Sequence, residues 1–155
     1  MGIPVSIYSA VAFMHPDDTG KLFVPASKRV PLALVPEYSR GEDGVDTVKV
    51  LMATSHLIVF EASRPKGAVD RLHAHPDHHS IGYQKQGRVR MRIANETFVV
   101  EEGDSYQHPL GVEHQHEVLE DSIRIEIKHS PAGDAIESWN ALVGASSASD
   151  AKPGA

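Results

Sequence analysis

From Val48 onward, apolar and polar residues alternate along most of the chain. The alternating stretches are short and rich in β-branched residues, and turn signals separate them at intervals of about ten residues. The clearest ones are VKVLMA, HLIVFEA, RVRMRI, ETFVVEE and SIRIEIK. Successive side chains of a strand point to opposite sides, so this alternation is typical of strands that bury one face. It predicts an all-β fold, an antiparallel sandwich or barrel.

The two ends of the chain lack this alternation. The first 47 residues contain five prolines and little periodicity, which predicts an extended arm with one or two edge strands, RVPLALV among them. The last residues are small and polar, and we expect them to be disordered. The predicted division is an arm at 1–47, a barrel at 48–130, a helix at 131–144 and a tail at 145–155.

The stretch GDAIESWNALVG predicts one helix near the C-terminal end. Asp134 has the position of an N-cap, with a glutamate three residues further on, which is the spacing of a capping box. Ile136, Trp139 and Val143 recur at helical spacing, and Gly144 offers a stop. We expect Trp139 to dock this short helix on the barrel.

Composition narrows the class of protein. The chain has 155 residues, 41% of them hydrophobic and 23% charged, which fits one globular domain with its own core. The net charge of −6 disfavours a nucleic-acid partner. No apolar run approaches the roughly 20 residues of a membrane span, and the apolar start lacks the basic segment of a signal peptide. We therefore expect no membrane partner and a cytoplasmic location.

Four histidines crowd into the stretch LHAHPDHHS. On a helix, His75 and His79 would have the spacing of a metal site, but Pro76 pushes the residue before it to extended geometry. On a strand, His73 and His75 would share one face. Two neutral imidazoles side by side make half of a metal site. Because the chain has no cysteine, any such site must use nitrogen and oxygen ligands.

A second histidine cluster lies downstream in EEGDSYQHPLGVEHQHEV. Pro109 and Gly111 predict a turn, and His114 and His116 follow at strand spacing. These two imidazoles therefore also share a face. In a barrel, the strands of the two clusters could converge in the interior.

Both clusters resemble the motifs of the cupin family. The first has the pattern G-x5-H-x-H from Gly67 to His75, with a closing glycine at 87, and the second has G-x5-P-x-G-x2-H from Gly103 to His114. The resemblance covers about residues 48–128. It implies a cupin-type, jelly-roll-like antiparallel β-barrel of two packed sheets, with the arm and the helix added at its ends. It also implies one divalent transition metal per chain, and by motif position His73, His75 and His114 as ligands.

The chain departs from the family at the fourth ligand. The family usually has a glutamate after the H-x-H pair, and here two spacings compete for that position, one ending at His79 and the other at Ser80. We favour His79, because imidazole is a much better transition-metal ligand than a neutral hydroxyl. The predicted ligands are then His73, His75, His79 and His114. With Ser80 instead, the site has three histidines and open positions. Neither version has a carboxylate, and neither identifies the metal as Fe, Mn, Zn or Ni.

Other residues near the motifs are candidates for the pocket. His116 and Tyr106 are the candidates for catalysis, and Arg71 and Tyr83 are the candidates for substrate binding. We expect His78 to be exposed at the rim.

Two polar rows alternate with apolar residues and are predicted to be solvated sheet faces with cross-strand ion pairs. They are Arg88, Arg90 and Arg92, and Arg124, Glu126 and Lys128.

Two classes of function follow from the resemblance. The first is a metal-dependent enzyme that acts on a small oxygenated compound such as a keto acid or sugar acid. The metal would serve as a Lewis acid or an O₂-activating centre, with a dioxygenase slightly ahead of an isomerase or lyase. The alternative is a non-catalytic cupin that binds or senses a small ligand. The resemblance and the proline-rich arm also imply a homodimer.

Overall fold

The computed structural model describes residues 14, 19–29, 32–34 and 46–141. They form nine strands, a 3-10 turn at Ala26–Lys28, and a helix α1 at residues 135–141. The strands are β1 (Leu32–Leu34), β2 (Asp46–Ala53), β3 (Leu57–Arg64), β4 (His79–Gln86), β5 (Val89–Ile93), β6 (Glu96–Val100), β7 (Ser105–His108), β8 (His114–Val118) and β9 (Ser122–His129).

The strands form two antiparallel sheets, as the cupin resemblance implies. The larger sheet has the order β1-β2-β3-β9-β4-β7, and the smaller one has the order β6-β5-β8. The segment between β3 and β4 runs along the free edge of β8, with isolated bridges from Val69 to Glu117 and from His73 to His114. Within the described ranges, hydrogen bonding leaves two sheets and does not close them into one continuous barrel.

Two apolar clusters fill the interior. One joins the larger sheet to α1, where the Trp139 ring lies 5.5 Å from Phe60 and Ile136 is also buried. The other joins the smaller sheet to Tyr106 on β7. Asp134 precedes α1, but its buried Oδ1 has no hydrogen-bond partner in the described part of the chain, so the predicted side-chain cap is not formed.

Strand β9 presents its faces in the opposite sense to the prediction. Arg124, Glu126 and Lys128 point into the protein, and Glu126 is only 3% exposed. The isoleucines of the same strand lie on the outer face, where Ile127 is 40% exposed. The row on β5 does face solvent as predicted, and Arg90 Nη1 lies 2.6 Å from Glu117 Oε2 on β8. Alternation on β9 therefore identified the two faces correctly, but the prediction of which face points inward was wrong.

Only part of the predicted arm is described. Strand β1 lies at the edge of the larger sheet and pairs with β2, and Met14 exchanges two hydrogen bonds with the Asn140 side chain of α1. The rest of the arm, the positions of Val143 and Gly144, and the tail at 145–155 lie outside the described residues. Among the described helices, none combines the length and the apolar character that crossing a membrane requires.

Candidate metal centre

Three histidines from the two clusters meet at one point. His73, His75 and His114 each offer one ring nitrogen, and these nitrogens lie within 4.8 Å of one another. The ring centroids of His73 and His114 are 4.4 Å apart, and those of His75 and His114 are 5.2 Å apart. Metal–nitrogen bonds of about 2.1 Å would bring three such nitrogens to about 3.5 Å from one another, which small ring rotations can supply. We call these residues the inner triad.

Backbone pairing between the two clusters builds the inner triad. The amide of His73 donates to the carbonyl of His114 at 3.1 Å, and the amide of His114 donates back at 2.8 Å. Two residues on, the carbonyl of His75 accepts from the amide of Gly111 at 2.8 Å. Gly111 has a φ of +74°, which other residues rarely adopt, so the glycine allows the turn that carries this contact.

Backbone carbonyls fix the orientation of two rings of the inner triad. Nδ1 of His73 lies 2.6 Å from the carbonyl of Arg71, and Nδ1 of His114 lies 3.2 Å from the carbonyl of Val112. A carbonyl can only accept, so each Nδ1 carries the proton and leaves the Nε2 lone pair available to a metal. Burial lowers the pKa of His114 to about 4 and that of His75 to about 2, so both stay neutral at pH 7.

The structure corrects the prediction for His79. Strand β4 alternates from its first residue, so that His79 is exposed and Ser80 is buried. The His79 ring packs against His129, with 4.8 Å between centroids, on the outer face of the sheet. Ser80 holds the inward position, and its Oγ lies 3.0 Å from Nδ1 of His108. The described residues therefore bring together three ligands, His73, His75 and His114, and not four.

Two further histidines stack on the inner triad from behind. The His108 ring lies 3.9 Å from that of His114 at an interplanar angle of 10°, and the His78 ring lies 4.3 Å from that of His75. His78 is only 4% exposed, so the expectation of a rim residue is wrong. Its Nδ1 donates to Asp77 and its Nε2 accepts from Lys128 at 3.0 Å, which fixes the ring behind His75.

A buried charge group lies next to these stacked rings. Glu126 Oε2 is 2.9 Å from Arg124 Nε, and Glu126 Oε1 is 3.4 Å from Lys128 Nζ. Burial alone would raise the pKa of Glu126, but the two cations hold it well below its usual range, so the carboxylate is ionised. Its Oε1 also lies 3.9 Å from Nδ1 of His108. The carboxylate that the motif lacks is thus supplied to the interior by β9.

None of the other predicted pocket residues belongs to the group of converging nitrogens. The side chain of Arg71 is exposed, and Tyr83 lies 47% exposed on the outer face of β4, because it alternates with the inward Ser80. His116 and Tyr106 are buried. Nε2 of His116 lies 2.8 Å from Nε2 of His108.

Tyr106 packs closely against β4. A Cβ at Gly82 would collide with its ring, so the sequence needs glycine there. Its hydroxyl has no hydrogen-bond partner among the described residues, and burial raises its pKa, so it stays protonated.

The chain is similar to known proteins over the segment that carries the inner triad. Residues 60–127 match the family model described as a cupin domain. This stretch contains both histidine motifs, and over it the chain is similar to cupins. KdgF from a Halomonas species is 26% identical with a TM-score of 0.54, over 59% of this chain and 86% of that protein. None of the curated proteins matches the sequence significantly.

Two other solved structures support the cupin fold. An RmlC-like cupin from Shewanella frigidimarina is 20% identical with a TM-score of 0.58, over 71% of this chain and 91% of that one. A predicted oxalate decarboxylase from Thermotoga maritima is 18% identical with a TM-score of 0.59, over 70% of this chain and 99% of that one. At these identities the likeness concerns the fold alone.

Sequence reasoning missed several groups that surround the inner triad. His78 was expected to be exposed at the rim, and Glu126 and Lys128 were expected to face solvent. The isoleucine row of β9 misled the assignment, since isoleucine usually points to the core. The sequence did contain a usable signal, the polar row Arg124, Glu126 and Lys128 on β9. An interior that holds a metal site needs polar neighbours, and this row is able to supply them.

Proposed function

We propose that this cupin is a metal-dependent enzyme that acts on a small oxygenated compound, such as a carboxylate, keto acid or sugar acid. The observation that carries the proposal is the inner triad, with its ring nitrogens gathered within 4.8 Å and two of its rings oriented by backbone carbonyls. Such preorganisation is typical of ligand histidines, whose second nitrogen usually donates to a carbonyl or carboxylate.

The donor set fits a divalent transition metal. Three neutral imidazoles suit iron, zinc and nickel, and manganese less well. They would hold one ion per chain and leave coordination positions for substrate. Once bound, the metal would supply Lewis acidity, or with iron or manganese the activation of O₂. Since none of the three ligands is charged, the ion keeps its full positive charge toward an anionic substrate.

Side chains of the interior would orient the substrate. Lys128 contacts His78, and His78 stacks on His75. We therefore assign to the Lys128 ammonium the role of binding a substrate carboxylate. Glu126 would balance this ammonium in the absence of substrate. Arg71 is the weaker candidate for this role, because its side chain is exposed.

The surroundings favour a dioxygenase over an isomerase or lyase. Proton abstraction needs a base that faces the substrate. Tyr106 stays protonated, His116 is hydrogen-bonded to His108, and the Glu126 carboxylate is paired with two cations, so none of these groups is a free base. The alternative function is binding or sensing without catalysis. It is supported by the same lack of a free base, because the polar groups next to the inner triad already pair with one another.

Metal content and O₂ consumption test this proposal. The purified full chain should contain about one equivalent of metal, and reloading the metal-free protein with Fe²⁺ should give O₂ uptake with a member of a panel of keto acids and sugar acids. His114→Ala should lose both the metal and the uptake, and His79→Ala should keep both. Metal binding without turnover under aerobic or anaerobic conditions would favour the sensing function. Protein that binds no metal would overturn the proposal.

We also infer a homodimer, as the cupin resemblance implies. Support comes from the outer face of the larger sheet, where Ile81 is 55% and Ile127 is 40% exposed on adjacent strands. Exposed apolar patches of this kind are common at subunit contacts. Light scattering of the native chain and of Ile81→Lys should give a dimer and a monomer, respectively. The cytoplasmic location stays a prediction.

A further inference from the structure

A pair of histidines lies on the opposite side of the sheet from the inner triad. His79 opens β4, His129 closes β9, and the two residues are directly opposite each other in the antiparallel pairing of these strands. Directly opposed residues share one face, so both rings point outward. Their centroids are 4.8 Å apart and their planes differ by 42°. We call these two residues the outer pair.

The outer pair has a third imidazole beside it. The His56 ring lies 6.4 Å from that of His129 and nearly parallel to it. Its position is fixed, because Nδ1 lies 3.0 Å from Ser55 Oγ and the ring covers Gly133, where a Cβ would come within 3.1 Å. The rings of His79, His129 and His56 thus form a row across the ends of β4 and β9 and the turn before β3.

A second observation concerns the hydrogen bonding of His129. Its Nδ1 is buried and has no hydrogen-bond partner among the residues that the structure describes. No neighbouring acceptor or donor therefore fixes the tautomer of this ring. With the proton on the buried Nδ1, the Nε2 lone pair is available for coordination. An imidazole that is not committed to a protein partner, next to a second exposed imidazole, is an arrangement that a metal ion can bridge.

We propose that the outer pair is a second metal site, independent of the inner triad, that takes a divalent ion preferring imidazole nitrogen, such as Zn²⁺, Ni²⁺ or Cu²⁺. His79 and His129 are its two protein ligands, and water completes the coordination at the end of this sheet face, two residues beyond the Ile81–Ile127 pair through which the dimer is inferred to form. His56 limits access from one side. The site gives a role to His79, which competed with Ser80 for the fourth-ligand position but which β4 turns outward.

Binding at the outer pair is weaker than at the inner triad. It offers two ligands in place of three, and the carbonyl contacts that orient His73 and His114 have no counterpart at His129. Loss of such an orienting partner alone typically weakens metal affinity by about 10- to 100-fold. The two sites therefore fill in order, and a titration can separate them.

The test is a Zn²⁺ titration of the ¹⁵N-labelled, metal-free full chain, followed through the imidazole signals in two-bond ¹H–¹⁵N spectra. The signals of the inner triad should change over the first equivalent. Those of His79 and His129 should change together in a second phase, at about 10- to 100-fold higher free Zn²⁺. His79→Gln and His129→Gln should each abolish the second phase and leave the first unchanged. Gln107→Ala, an exposed position on the same face opposite Ile81, should preserve both.

Three outcomes would overturn the second site. The outer signals stay unchanged in excess Zn²⁺, or His79→Gln removes the first phase, or Gln107→Ala weakens the second phase as much as His79→Gln does. Failure of the proposed function looks different. In that case the first phase is missing in the native chain while the second one persists, because the outer ligands do not depend on the inner ones.

Discussion

The inner triad and the outer pair use the same side chain, yet they differ in everything that surrounds it. In the inner triad, backbone carbonyls orient the rings of His73 and His114, while His75 and His114 are backed by stacked imidazoles and kept neutral by burial. In the outer pair, His79 is exposed and the buried Nδ1 of His129 lacks a partner within the described chain. His78 and His79 are adjacent in sequence and lie on opposite faces. The number of histidines in a stretch is therefore a weak indication of a metal site. The groups that fix the tautomer and orientation of each ring are a better one.

Substitution of a ligand should give the largest difference between the two groups. His75→Ala removes one of three converging nitrogens, and we expect the metal equivalent of the purified protein to fall from about one to near zero. His129→Ala should leave that equivalent in place. Elemental analysis after gel filtration measures both. Equal losses in the two variants would remove the distinction between an inner and an outer site.

Removal of the buried carboxylate tests the charge group behind the inner triad. Glu126→Gln leaves Arg124 and Lys128 buried without their counter-charge, which should lower the free energy of unfolding by about 3–5 kcal/mol. The matched control is Glu117→Gln, whose partner Arg90 is exposed. Removal of an exposed ion pair of this kind should cost about 0–1 kcal/mol. Urea unfolding of both variants gives the comparison, and similar costs would contradict a buried location for Glu126.

Acid should destabilise the metal-free protein through its inner histidines. Burial lowers the pKa of His108 from 6.5 to about 3 and holds the pKa of His116 well below 6.5. The unfolded chain then binds more protons, so stability is full above about pH 6.5 and falls as the pH drops below it. Each neutral buried imidazole contributes up to about 1.4 kcal/mol per pH unit.

Urea unfolding in chelator between pH 7.5 and 4.5 measures this slope. We expect His116→Gln to make it shallower. An unchanged slope in this variant would contradict a contribution of the buried His116 imidazole.

The smallest effect should come from the outer pair in the absence of metal. His79→Gln replaces an exposed side chain, and such changes usually alter stability by less than about 0.5 kcal/mol. Thermal unfolding of the metal-free variant checks this value. With excess Zn²⁺, the native chain should gain slightly more stability than the variant, because a ligand that binds only the folded state stabilises it. A large loss without metal would mean that His79 has a structural role.

Much of the fold could be predicted because its signals are local. Alternation identified most strands, and motif spacing identified His73, His75 and His114 before any contact was known. The fourth ligand could not be settled in this way, because His79 and Ser80 are adjacent and a shift of one residue moves a side chain to the other face. The prediction that Asp134 caps the helix was also wrong, because a cap depends on side-chain geometry that spacing alone does not specify.

The sequence by itself determined that this protein is built of antiparallel strands and carries three histidines at cupin spacing, since both properties follow from periods of a few residues. Only the tertiary structure decided which face of β4 and β9 lies inside. Alternation is the same for either orientation of a strand, and the choice depends on how the sheet packs against distant segments. That packing places Glu126 and Lys128 behind the inner triad, turns the isoleucines of β9 outward, and separates His78 from His79.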